Sequence, residues 1–178
     1  MKQILYILGL AILFSGIYTS CKTSSLDTMR EDEIVALDRY VKVNNLAGTK
    51  DVSGIYFKEI EKGNGDTIKS GYKVMLNYKI TLLDSTVVFT TEDEFGHNYE
   101  ERPFFVDVSN DIVNESYVQQ IAGLHKGLKK MQVGGRAFII IPSELAFKAV
   151  DKSSIGIPRF STLLVKVYAK KAYSPEQQ

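Results

Sequence analysis

The chain has 178 residues with 44% hydrophobic and 24% charged side chains, which suits one compact domain with a terminal extension and excludes a wholly disordered chain. Its formal charge of +1 lacks the positive excess that nucleic acid binding requires, so we expect no nucleic acid partner. One cysteine and two histidines exclude an internal disulfide and metal sites rich in cysteine or histidine, so we expect no metal site of that kind.

The N-terminus has the features of a targeting segment. The residues from Ile4 to Phe14 are apolar, Lys2 precedes them and small residues follow. This pattern is typical of a secretory signal, and its apolar run is shorter than the about 20 residues that a transmembrane helix needs. Cys21 lies where such a signal would be cleaved. The alternative is an uncleaved anchor helix that ends near Tyr18.

The sequence that leads to this cysteine, Ile-Tyr-Thr-Ser-Cys over residues 17–21, resembles the lipobox of bacterial lipoproteins. It differs at Tyr18, because the usual aliphatic residue stands one place earlier, at Ile17. The resemblance implies a lipoprotein signal peptide over residues 1–20 and lipidation of Cys21. The protein would then be anchored by lipid to a membrane of the bacterial cell envelope, on the periplasmic side or in the outer membrane.

A polar tether over residues 22–26 and a helix over residues 29–43 are predicted next. Thr28 and Glu31 have the spacing of a capping box, which marks a helix start. A narrow stripe follows at helical spacing: Ile34, Leu37, Val41 and Asn44. Such a stripe predicts a helix that packs on the side of a larger element, or alternatively a weak dimer contact.

From residue 54 onward the hydrophobic period changes to two, which predicts β-strands. Candidate strands cover residues 55–60, 74–82, 87–89, 103–108, 136–141 and 162–168. A short helix is predicted over residues 119–131 from four apolar residues at helical spacing: Ile121, Leu124, Leu128 and Met131. The predicted class is therefore α+β, an antiparallel sheet of five or six strands wrapped around one short helix and preceded by the N-terminal helix.

The remaining polar features are assigned to structural roles. The loop over residues 90–102 carries five carboxylates, and we interpret it as a solvated loop rather than a calcium site because EF-hand spacing is missing. His125 is expected on the polar face of the short helix, in a solvated surface role. Motifs of hydrolases, of dinucleotide binding and of phosphate loops are missing from the sequence. An enzyme of this composition would act without nucleophile, metal or cofactor.

Two adjacent segments, from Gly123 to Ala137 and from Ile141 to Phe147, resemble the central helix and following turn of FKBP-type peptidyl-prolyl isomerases, the rapamycin-binding immunophilins. Further matches are residues 77–78, 89, 103–104, 157–158 and 162–165. The resemblance implies an FKBP-like domain over residues 54–172, between a tether and helix at residues 21–53 and a tail at residues 173–178. It also implies that proline-containing polypeptide segments are the partners.

The family pattern, carried onto this sequence, implies a set of site residues. The catalytic positions would be Tyr78, Phe89, Phe104, Ile121 and Phe147. The substrate-binding positions would be Leu124, Ile157 and Val165, for which a role in the ordinary core is an equal alternative. In this pattern the Tyr78 hydroxyl reaches a ligand or a buried carbonyl, and the Ile121 N–H donates to a substrate carbonyl.

The sequence departs from the family pattern at five positions. They are Thr90 for aspartate, Leu124 for tryptophan, Phe147 for tyrosine, Lys148 for glycine and Val165 for phenylalanine. Each lost hydrogen bond in a transition state costs roughly 1–3 kcal/mol. Two hypotheses follow: a prolyl isomerase that assists folding of extracytoplasmic proteins, or a degenerate, non-catalytic lipoprotein that serves as a peptide-binding or chaperone module. A structural lipoprotein without a ligand is a third.

Overall fold

The computed structural model describes residues 25–92, 101–109 and 116–177. These contain two α-helices and six strands: α1 (Ser25–Val43), β1 (Tyr56–Glu61), β2 (Lys73–Thr81), β3 (Val87–Thr90), β4 (Arg102–Phe105), α2 (Ala122–Leu128), β5 (Arg136–Ile141) and β6 (Leu163–Tyr173). The predicted signal peptide, Cys21 and most of the acidic loop lie outside the described residues. Among the helices that are described, none has the length and apolarity to cross a membrane.

The six strands form one antiparallel sheet in the order β1-β5-β6-β2-β3. The outer edge of β2 is shared by two short strands, with β3 paired to residues 79–81 and β4 paired to residues 73–76. Helix α2 packs against the inner face of this sheet, next to β5. The predicted α+β class, with a six-stranded antiparallel sheet around one short helix, is confirmed.

Helix α2 lies unusually close to the sheet because glycines face β5. A Cβ atom on Gly123 would stand 2.3 Å from Cγ2 of Ile141, and one on Gly127 would stand 2.4 Å from Cδ1 of Ile139. Real Cβ atoms do not approach that closely, so only glycine allows this helix–strand distance. The predicted apolar stripe of this segment is buried as expected: Ile121, Leu124, Leu128 and Met131.

Helix α1 covers part of the opposite face of the sheet. Leu37 and Val41 form a second buried cluster with Tyr56, Ile140 and Leu164. Each of these strand residues lies on the side of its strand that points away from α2. The prediction that the N-terminal helix packs on a larger element, rather than forming only a dimer contact, therefore matches this arrangement.

The start and the stripe of α1 differ from prediction. Residues from Ser25 onward are helical, so Leu26 is not part of a tether and Thr28 lies within the helix rather than at its start, where a capping box requires it. Ile34 is 55% exposed and Asn44 is also exposed. Glu33 is buried in their place, because its carboxylate finds hydrogen-bond donors that a pattern of apolar residues cannot reveal.

Several strands and the short helix end at residues other than those predicted. β4 ends at Phe105 rather than residue 108, because the chain turns at Asp107 with a positive φ of 54°. The segment predicted as one helix over residues 119–131 consists of a 3₁₀ turn over Val118–Gln120, then α2, which ends at Leu128. β6 is the longest described strand, at 11 residues, and β2 ends one residue before Leu82.

The contact of α2 with β5 gives a prediction about stability. Gly123→Ala should lower the free energy of unfolding by roughly 1–3 kcal/mol, because the new methyl group must displace the β-branched side chain of Ile141. In an open helix the same change would stabilise by about 1 kcal/mol. Urea unfolding measures the difference. Gly48→Ala is the control, since nothing lies within 4 Å of its Cβ position. Equal effects of the two substitutions would contradict the close packing.

Candidate active site

A cavity of about 440 Å³ opens on the side of the sheet that carries α2. Its walls come from β3, from β4 and from the segment that precedes α2, residues 116–119, and Tyr78 of β2 contributes to it. The residues predicted for catalysis from these strands are all present in its lining: Tyr78, Phe89 and Phe104. Three aromatic side chains from three different strands thus meet at one cavity.

The other predicted site residues lie in the hydrophobic core that continues behind the cavity. Ile121, Leu124, Ile157 and Val165 have no exposed surface, and Phe147 is 7% exposed. All belong to the same apolar cluster as Phe104, with Tyr78 and Phe89 packed against it. The structure brings the eight residues together as one apolar body, of which three reach the cavity. The Ile121 N–H, predicted to bind substrate, donates to Val118 O at 3.2 Å.

A buried threonine holds the backbone at Tyr78. The Tyr78 N–H donates to Thr91 Oγ1 at 2.9 Å, and the Thr91 N–H donates to Tyr78 O at the same distance. Thr91 is 3% exposed. These bonds extend the pairing of β2 and β3 beyond the end of β3, so the phenol ring of Tyr78 and the ring of Phe89 keep a fixed relation across the cavity.

Tyr117 is a site residue that the sequence analysis missed. Its ring stacks on Phe89 with the centroids 6.5 Å apart and an angle of 24° between planes. The ammonium of Lys152 lies 4.8 Å from the centroid of the Tyr117 ring. A cation–π contact of this kind stabilises the folded state by about 0.5–1 kcal/mol at exposed sites. Tyr117 therefore connects β3 with the chain between β5 and β6. Only its aromatic character next to the predicted helix could have indicated this.

Gln119 fixes the wall of the cavity to β4. Its side-chain oxygen accepts from the Phe105 N–H at 3.0 Å, and its Nε2 donates to Phe105 O at 2.5 Å. Gln119 is 4% exposed and lines the cavity. Its side chain thus replaces a neighbouring strand on one edge of β4, which satisfies two backbone groups next to Phe104.

His125 is not a solvated surface residue, so that prediction is wrong. Its side chain is 14% exposed, and its ring centroid lies 4.6 Å from that of Phe104. Nδ1 accepts from the Asp107 N–H at 2.9 Å, and Nε2 donates to Gln119 O at 2.8 Å. The ring therefore joins the turn after β4 to the wall of the cavity. The helical pattern placed it on the polar face without showing that β4 covers that face.

The charge of His125 depends on this burial. Burial lowers the pKa of His125 below its ordinary value, and the nearby Lys129 ammonium acts in the same direction, against the Gln119 carbonyl and the Asp107 carboxylate. The neutral ring with its proton on Nε2 fits both partners. In a protonated ring Nδ1 would also carry a hydrogen, so it could no longer accept the Asp107 N–H and that hydrogen bond would break.

Few charges face the cavity. Among the described residues that line it, Arg102 alone carries a charge. Thr90, which stands where an aspartate is usual, is exposed, and its hydroxyl accepts the Glu92 N–H at 2.9 Å. Nothing in the described lining pairs a general acid with a general base. This composition suits binding and conformational change of a substrate rather than proton transfer.

A second cavity, of about 360 Å³, lies on the opposite face of the sheet. Its lining includes the cations of Lys79, Arg136 and Lys166, and the Arg136 guanidinium lies 4.1 Å from the ring centroid of Tyr168. Of the eight residues predicted for the site, only Tyr78 contributes to it. The cavity next to Phe89 and Phe104 is therefore the candidate active site.

The lowered pKa of His125 gives a prediction about pH. The folded state favours the neutral ring, so its stabilising effect is complete above about pH 6.5 and is lost as the pH falls below that value. Thermal unfolding between pH 5.5 and pH 8 should show a fall in Tm at the acidic end. His125→Gln should lower Tm at pH 8 and make Tm depend less on pH. A variant with the same pH slope as the wild type would contradict the assigned hydrogen bonds.

Comparison with known proteins identifies the family of this chain. The model of the FKBP-type peptidyl-prolyl cis-trans isomerase family matches residues 65–169. The FKBP-type peptidyl-prolyl cis-trans isomerase FkpA of Escherichia coli K12 is 32% identical over 119 residues, which cover 65% of this chain and 36% of that protein. FK506-binding protein 4 of Chaetomium thermophilum is 34% identical over 67% of this chain and 22% of its own length. The matched part is thus well under half of the length of each of these two relatives.

Solved structures show the same fold. The crystal structure of FkpA from Escherichia coli has a TM-score of 0.66 at 24% identity, over 95% of this chain and 72% of that chain. A peptidyl-prolyl cis-trans isomerase from Pseudomonas syringae has a TM-score of 0.66 at 16% identity, over 86% of this chain and 99% of that one. The family model spans more than half of the sequence and includes the helix and strands that build the cavity. The chain therefore belongs to the family of FKBP-type peptidyl-prolyl cis-trans isomerases.

Proposed function

We propose that this protein is an active prolyl isomerase that binds proline-containing polypeptide segments in the cavity beside Phe89. The observation that carries the proposal is the convergence of Tyr78, Phe89 and Phe104 on one apolar cavity in a chain of this family. The five departures from the family pattern leave these three aromatic residues in place.

The proposed mechanism needs no proton transfer. Rotation about a peptide bond has a barrier of about 18–20 kcal/mol, because it breaks amide resonance. The twisted amide no longer shares charge between nitrogen and carbonyl, so an apolar cavity disfavours the planar amide relative to the twisted one. The aromatic walls exclude water and hold the proline ring. Backbone groups at the cavity keep the substrate oriented. The Ile121 N–H could take part only by giving up its bond to Val118 O.

The proposed setting is the bacterial cell envelope, where the protein would assist folding of extracytoplasmic proteins. The support is the N-terminal pattern: an apolar run after one lysine, followed by a lipobox-like segment that ends at Cys21. Lipidation at Cys21 would hold the isomerase at a membrane without a polybasic patch, since the basic and acidic side chains of the chain nearly balance.

The alternative function is a peptide-binding or chaperone module without catalysis. Tyr117 supports it, because its ring lies next to Phe89 in the lining and so occupies space beside the ring that a proline would contact. The replacement of the family tryptophan by Leu124 and the replacement of a tyrosine by Phe147 act in the same direction, since each removes a polar or aromatic group. A peptide could still bind at such a site without acceleration of its isomerisation.

Exchange NMR on a panel of X-Pro peptides tests the proposal. The protein without its predicted signal peptide should accelerate cis–trans exchange, and Phe89→Ala should lower kcat/KM by about tenfold or more because it removes an aromatic wall. Tyr78→Phe tests the hydroxyl in the same assay. Val87→Ala is the matched control, since Val87 lies on the same strand and is 48% exposed.

The outcomes separate the two functions. Acceleration that Phe89→Ala lowers and Val87→Ala leaves unchanged supports the isomerase. A folded wild type that accelerates none of the peptides contradicts it and favours the binding module. Varying the residue before proline keeps a narrow substrate preference from being read as inactivity.

A further inference from the structure

The connection between β5 and β6, residues 142–162, carries three residues of interest at the site. Phe147 and Ile157 are predicted site residues, and Lys152 contacts Tyr117. Within it, Lys152 and Ile157 exchange two backbone hydrogen bonds of 3.1 Å, and the Phe160 N–H donates to Lys148 O at 2.8 Å. The β5–β6 connection is thus one internally bonded unit, and Phe147 and Ile157 anchor it in the core.

Both ends of the β5–β6 connection are held by one side chain from α1. Glu33 Oε1 accepts from the Ser143 N–H at 2.7 Å and from Thr162 Oγ1 at 2.7 Å, and Oε2 accepts from Ser143 Oγ at 2.5 Å. Glu33 is 9% exposed, Thr162 is 2% exposed and Ser143 is fully buried. One buried carboxylate therefore ties the first turn after β5 to the residue before β6, across 110 and 129 positions of sequence.

This arrangement is specific to a carboxylate. An apolar residue at position 33 would leave the Ser143 N–H and two hydroxyls buried without their acceptor, which costs about 1–3 kcal/mol for each unsatisfied group. The neighbouring ion pair between Arg30 and Glu144 is about half exposed on both sides, so it contributes little. Glu33 is therefore the strong polar contact between α1 and the β5–β6 connection among the described residues.

We propose that Glu33 is a positioning residue for the isomerase site. Helix α1, which carries Glu33, would then contribute to the activity of the isomerase domain. Glu33 fixes the β5–β6 connection, the connection places Lys152 over the ring of Tyr117, and Tyr117 stacks on Phe89 at the cavity. The same connection sets Phe147 in the core behind the cavity. The inference rests on the proposed function for its catalytic readout, but its structural readout is independent of catalysis.

The test compares Glu33→Ala with Glu31→Ala in the mature chain. Glu31 lies on the same helix, is exposed, and gives the same change of charge. Well below the unfolding temperature of both variants, Glu33→Ala should lower kcat/KM for X-Pro peptides about tenfold, as expected for a misplaced wall, and Glu31→Ala should stay within about twofold. Glu33→Gln keeps one acceptor oxygen and should recover part of the activity.

A second readout separates positioning from general stability. Glu33→Ala should speed amide hydrogen exchange in residues 147–157 and shift the ring resonances of Tyr117 and Phe89, whereas Glu31→Ala should do neither. If Glu33→Ala lowers only Tm, and kcat/KM and these resonances match the control, the proposal is overturned. If Glu33→Ala does not fold, Thr162→Val removes one of the three bonds and should change both readouts in the same direction; unchanged values would overturn the proposal as well.

Failure of the proposed isomerase function would give results that differ from failure of the Glu33 proposal. A wild type that binds X-Pro peptides without accelerating them removes the isomerase proposal, and the Kd of the peptide then replaces kcat/KM in the same comparison. A wild type that neither binds nor accelerates them leaves hydrogen exchange and the Tyr117 resonances to decide whether Glu33 positions this wall. Equal behaviour of the Glu33 and Glu31 variants in those measurements would overturn the inference.

Discussion

The close contact of α2 with β5 is the constraint on which the site depends. Because Gly123 and Gly127 carry no side chains, the helix lies against Ile141 and Ile139 at a distance that no other residue would allow. This approach buries the apolar side of α2 and fixes the segment immediately before it. That segment supplies Tyr117 and Gln119, so the distance between α2 and the sheet determines the position of one wall of the cavity.

Buried polar contacts then position the segments that line the cavity or support its lining. Thr91 holds the backbone at Tyr78, Gln119 holds the edge of β4, and Glu33 holds the connection between β5 and β6. Apolar packing alone tolerates small shifts, whereas a buried donor or acceptor that loses its partner is costly, so these contacts select one arrangement. The aromatic lining provides the environment for a twisted amide, and the polar contacts behind it keep that environment in place.

The sequence predicted the elements whose pattern is local, and it missed contacts that depend on distant partners. Alternating apolar residues located the strands, and the spacing of Ile121 and Leu124 located α2. Glu33 was missed because a charged residue interrupts the apolar pattern, and its partners lie more than a hundred positions away. Lys148 was recognised as a replacement for glycine; its φ of 55° shows that this lysine adopts the left-handed backbone conformation that favours glycine.

The most direct test of the account is where a substrate binds. A proline-containing peptide titrated into ¹⁵N-labelled protein should shift the amide resonances of Phe89, Tyr117 and Gln119 and leave those of Arg136 and Tyr168, on the opposite face of the sheet, unchanged. The same sample would show whether the cis and trans signals of the peptide exchange faster. Shifts confined to Arg136 and Tyr168 would place binding in the other cavity and contradict the assignment of the site.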